Sequence, residues 1–120
     1  MTRNGRMAMD GLYHMRIEPL GGGRATNAGV MVMRDGQILG GDAFFYYVGA
    51  YTASDDRWSG EFVTKQHTRS GDYRPAFGAL DVVVSLTGQQ GGDMLEGQAE
   101  VQQQDGPSSY RVSLKKIADA

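Results

Sequence analysis

Imidazole chemistry in this 120-residue chain can come only from His14 and His67. A metal pair or an acid–base pair would need them close together, and metal-binding histidines usually show a short local spacing. These two are far apart in sequence with no such spacing, so they read as ordinary strand-face residues. Carboxylates stand at Asp42, Asp55, Asp56, Asp93 and Glu96. Two of them set roughly 5 or 9 Å apart in a cleft could hydrolyse a glycoside. All five fall at expected turns or strand ends, where aspartate normally accepts backbone N–H bonds. Gly21-Gly22-Gly23-Arg24 has the look of a phosphate-cradling loop. It lacks the Lys-Ser/Thr ending and a following helix, and reads better as a hairpin loop. The chain has no cysteine, which removes thiolate nucleophiles, disulfides and cysteine-ligated zinc. The residues therefore point to no catalytic site, no metal and no cofactor.

The densest cluster is aromatic: Phe44, Phe45, Tyr46, Tyr47, Tyr51 and Trp58. Consecutive residues of a strand point to opposite faces, so Phe44 and Tyr46 share one side while Phe45 and Tyr47 share the other. One set fills a core. The other is left for solvent or a second chain, and an exposed aromatic strip commonly marks an interface. The expectation assigns Phe45, Tyr47 and Tyr51 to self-association, with the outward face left open.

Strands must position these residues, because period two dominates the chain. Tyr13, Met15 and Ile17 alternate with Leu12, His14 and Arg16 in a first strand ending at Pro19. Val30 to Met33 forms a second, turned at Asp35-Gly36, where glycine supplies positive φ. Ile38-Leu39 begins the return, and Gly40-Gly41-Asp42 interrupts before an aromatic strand over 43–51, the glycine pair reading as a bend or bulge inside strand sequence. A turn at Ser54 to Arg57 leads to a strand from Trp58 to about His67. Thr68 to Ala79 reads as loop. Strands over 80–87, 94–103 and 110–117 complete the series, with turns at 88–93 and 105–107. No helix longer than one turn is expected. Seven or eight strands joined by short turns predict an all-β domain, and a single antiparallel meander closing on itself leaves no long free edge. A β-sandwich is the alternative. Residues 1–8 read as a flexible extension and 9–120 as the barrel domain.

Composition agrees with one small folded domain. Eighteen residues are glycine and three proline. The glycines follow no three-residue period, which excludes collagen, and a net charge of −2 is too small to favour disorder. Turns and tightly bent strands account for many glycines. No apolar run approaches the roughly 20 residues of a membrane helix, and 1–10 lack the hydrophobic stretch of a secretory signal. A pI near 5.6 with scattered charge argues against direct nucleic-acid binding. The expectation is a cytoplasmic protein with no membrane contact.

The order of motifs is also familiar. Met9-Asp10-Gly11-Leu12-Tyr13 is followed by Gly29-Val30-Met31-Val32-Met33 and the Asp35-Gly36 turn. Ile38-Leu39-Gly40-Gly41-Asp42 and Tyr46-Tyr47-Val48-Gly49-Ala50-Tyr51 complete the series. Over roughly 9–117 this resembles the GrlR-type negative regulators of type III secretion and their bacterial relatives. The resemblance implies a lipocalin-like barrel, usually a homodimer, with no catalytic residues. It implies binding to a transcriptional activator through an acidic surface loop. The matching loop here is Ser54-Asp55-Asp56-Arg57, which marks Asp55 and Asp56 as partner-binding, although its acidic run is short and ends in arginine. The alternative function is a lipocalin-like carrier of a small molecule or lipid. Met15, Met31, Met33 and Met94 would then form an adaptable apolar lining for such a ligand.

Overall fold

The computed structural model describes residues 9–69, 71, 82–91, 93–103 and 106–120. The expected extension over 1–8 and most of the expected loop over 68–79 lie outside them. Eight strands follow in chain order: β1 (Gly11–Pro19), β2 (Thr26–Arg34), β3 (Gln37–Gly41), β4 (Phe45–Ser54), β5 (Arg57–Gln66), β6 (Val82–Gly91), β7 (Met94–Gln103) and β8 (Gly106–Ala118). Each pairs antiparallel with the next, and β8 pairs back onto β1 to close the barrel. The meander is as expected and the sandwich is not formed. Closure satisfies every strand edge internally, which an open sheet of this size would leave exposed.

Alternation decides which side chains fill the barrel. Tyr13, Met15 and Ile17 of β1 point inward, as do Val84 and Leu86 of β6 and Val112 and Leu114 of β8. They meet Met31, Met33, Ile38, Phe62 and Leu95 in one continuous apolar cluster. Thr64 is the one polar residue fully buried with it among the described residues.

Gly40 and Gly41 lie within strand, as expected: β3 runs through both, and the chain turns at Asp42 to Phe44. The turn expected from Gly88 starts later, because β6 runs through Gly88 to Gly91 and pairs to Met94. Gly88 pairs with Gly97, and a Cβ on either would collide with a carbonyl oxygen of the opposite strand. Glycine here lets the two strands approach closely without ending either. At the β2–β3 turn, Asp35 and Gly36 both take positive φ (52° and 81°), as a two-residue hairpin of this twist requires.

Candidate functional site

One end of the barrel gathers the start of β1, the β2–β3 turn and the β4–β5 turn. Met9 is fully buried beneath it, and the Tyr13 hydroxyl donates to the Met9 carbonyl at 2.7 Å. Asp10 accepts the Asp35 amide at 3.2 Å and the Tyr51 hydroxyl at 3.1 Å through the same oxygen. Burial pushes the Tyr13 hydroxyl up to about 12. Burial also raises that of Tyr51, and the bond to Asp10 adds to the effect. Both phenols are thus held neutral as hydrogen-bond donors. These bonds close that end of the barrel.

The opposite end is organised by Asp42. Its carboxylate accepts the Phe44 and Phe45 amides at 2.8 and 2.9 Å and lies 3.3 Å from the Tyr47 hydroxyl. That hydroxyl donates to the Ala28 carbonyl at 2.8 Å. His67 donates from Nε2 to the Asp42 carbonyl at 3.0 Å and places Nδ1 2.7 Å from the Thr68 hydroxyl. Asp42 and His67 therefore tie the β3–β4 turn to the end of β5. His14 sits mid-strand beside Val30 and Lys115. The histidines are not brought together. Among the described residues no three metal-ligating side chains cluster.

The expected self-association set is corrected. Phe45, Tyr47 and Tyr51 are buried inside the barrel, with at most 3% of each exposed. They occupy the inward register of β4, and the Tyr47 ring packs 5.3 Å from that of Phe62. The outward register holds Tyr46, Val48 and Ala50. The methionine set is also divided. Met15, Met31 and Met33 are fully buried within the core cluster. Met94 is not with them: it alternates with inward Leu95 and pairs with exposed Lys115, so it faces the outer wall.

Among the described residues, two grooves open on the outer wall. The larger, about 1060 Å³, is an open groove over β4 to β8 with a mixed lining that includes Thr52, Trp58, Thr87, Met94 and Arg111. The smaller lies between Val32, Arg34 and Leu39.

The outer wall carries a feature that residue order alone did not reveal. Leu12 pairs with Val32, Val32 with Leu39, Leu39 with Val48, Val48 with Val63, and Val63 with Val83. All six point outward, giving an apolar row across six adjacent strands. Leu39, Val48 and Val83 are 49%, 43% and 45% exposed. A membrane-spanning barrel presents an outward apolar band about 25 Å tall over a polar interior. Here Val30 and Tyr46 adjoin the row on one side, charged residues flank it at Arg34, Glu61 and Lys65, and the interior is apolar. Among the described residues no helix is long and apolar enough to cross a membrane.

Asp55 and Asp56 are exposed at the β4–β5 turn. Asp55 takes φ 56°, and the Asp56 carbonyl accepts the Gln90 amide at 2.8 Å. The Trp58 indole N–H donates to the Gln89 carbonyl at 3.1 Å, so the acidic turn is braced against β6. No family model and no curated protein matches this chain.

Proposed function

We propose that this protein is a non-catalytic regulator that acts in the cytoplasm by protein–protein binding, as its resemblance to the GrlR-type negative regulators implies. The observation that carries this reading is the outward apolar row from Leu12 to Val83. Soluble domains seldom leave a contiguous apolar strip on a sheet unless another protein covers it. The rigid turn at Asp55 and Asp56 adds two exposed carboxylates, suited to a basic segment of a transcriptional activator. Met15, Met31 and Met33 pack within the core cluster, which favours docking on the outer wall over carriage of an apolar ligand inside.

A photo-cross-linking residue placed at Val48, and separately at Thr87 in the open groove over β4 to β8, tests the reading in cells. Protein adducts are expected from position 48 and not from position 87. Equal labelling at both positions, or none at 48, would remove the basis for a docking row.

A further inference from the structure

We infer that the groove over β4 to β8 is a binding site for an extended, neutral oligosaccharide that lies across the strands. The site is separate from the apolar row. On β5 and β6 the row uses Val63 and Val83, whereas the groove uses Ser59 and Thr87 toward the other end of the same pair.

Register builds the groove from one polar side chain per strand. Thr52 pairs with Ser59, Ser59 with Thr87, Thr87 with Gln98, and Gln98 with Arg111. All of them are exposed and line the groove. Adjacent strands lie about 4.8 Å apart, close to the length of one sugar residue in an extended β-linked glucan. A glycan laid along this row therefore meets a fresh hydroxyl, amide or guanidinium at each sugar. A second row of Arg57, Gln89 and Glu96 runs beside the first, two positions along each strand. Together the rows offer both donors and acceptors, as sugar hydroxyls require. Ala53 and Met94 add apolar surface for the C–H faces of the rings.

The charges and the spacing decide the class of ligand. Among the described residues, Arg57, Arg111 and Glu96 form no ion pair with one another. Glu96 on β7 stands between the two arginines on β5 and β8, so a polyanion would be repelled midway along the groove. Single-stranded nucleic acid also needs aromatic platforms for its bases, and Trp58 is only 3% exposed. An extended peptide repeats its side chains on one face roughly every 6.7 Å, out of step with the strands beneath. The closed barrel gives such a peptide no edge to pair with.

Amide chemical shifts of the full, isotope-labelled chain read the result during titration with defined oligosaccharides. Cellohexaose, which is extended and neutral, should move the Ser59, Thr87 and Gln98 signals at millimolar concentration. Cellotriose should bind more weakly because it spans fewer strands. Maltohexaose, which coils, and hexagalacturonate, which is anionic, should bind more weakly than cellohexaose. Gln98→Ala and Arg57→Ala should each weaken cellohexaose binding by roughly three- to tenfold, with melting temperatures unchanged. No shift with cellohexaose would overturn the proposal. A preference for hexagalacturonate would assign the groove to anions and overturn the neutral class. Shifts undiminished in both variants would place the sugar elsewhere on the surface. Cross-linking from Val48 is independent of all these outcomes, so the docking row is tested apart from the groove.

Discussion

The Tyr51 hydroxyl donates a 3.1 Å hydrogen bond to the carboxylate of Asp10, 41 positions earlier in the chain. Asp10 also accepts the Asp35 amide, so one carboxylate joins the entry to β1, the β2–β3 turn and the inside of β4. Removing either partner should loosen that end of the barrel. Tyr51→Phe and Asp10→Ala are each expected to lower unfolding free energy by about 1 to 3 kcal/mol, the range for hydrogen bonds to charged groups. The double variant should lose less than the sum. Urea unfolding measures all three, and strictly additive losses would show that the two residues do not act together.

Alkaline pH should destabilise the fold in a defined window. Tyr13 is raised from 10.0 to about 12, first by burial and then by the nearby Asp10 carboxylate. Tyr51 and Tyr110 are raised in the same direction by burial. The unfolded chain gives up these protons first, so stability is full below pH 10 and falls as pH climbs toward 12. The urea midpoint should drop across that interval, and less steeply in Tyr13→Phe. A flat midpoint there would contradict the burial of these phenols.

The acidic turn allows charge and conformation to be separated. Asp55 sits at φ 56°, where Asp and Asn are tolerated and β-branched residues are not. Asp55→Asn should keep the melting temperature and remove the charge, whereas Asp55→Val should cost about 1 to 2 kcal/mol. Loss of partner capture in Asp55→Asn would identify the carboxylate as the contact. Loss only in Asp55→Val would assign the effect to the shape of the turn.

The paired glycines of β6 and β7 leave no room for a side chain. A Cβ at Gly97 would meet the Thr87 carbonyl and the Gly88 Cα. Gly97→Ala is expected to destabilise by about 1 to 3 kcal/mol through overpacking. Gly21, with nothing within 4 Å of an added Cβ, should accept alanine with little change. Thermal melts of the two variants compare a close strand approach with an open loop.

The strands were legible because alternation is a local property. Tyr13, Met15 and Ile17 announce their shared face without any partner. The outer row was not legible for the opposite reason. Val48 and Val63 read as ordinary residues until register places them side by side, and that register is set by pairing between strands. Gly88 reads as the start of a turn yet lies within β6, since glycine marks turns and close strand approaches alike. Met94 was misassigned because it sits beside a turn, where counting from either direction is uncertain until its pairing with Lys115 is known.

The aromatic strand poses the sharpest case, because Tyr46 and Tyr47 are adjacent, identical in type and opposite in role. Tyr47 is buried, donates to the Ala28 carbonyl and packs on Phe62. Tyr46 is 39% exposed beside the row. Tyr47→Ala should cost about 3 to 5 kcal/mol, as for other large buried aromatics. Tyr46→Ala should change stability by less than about 0.5 kcal/mol, as surface substitutions usually do. Urea unfolding of the two variants compares the two faces of β4 directly. If Tyr47→Ala left stability intact while Tyr46→Ala unfolded the chain, the face assignment of β4 would be reversed.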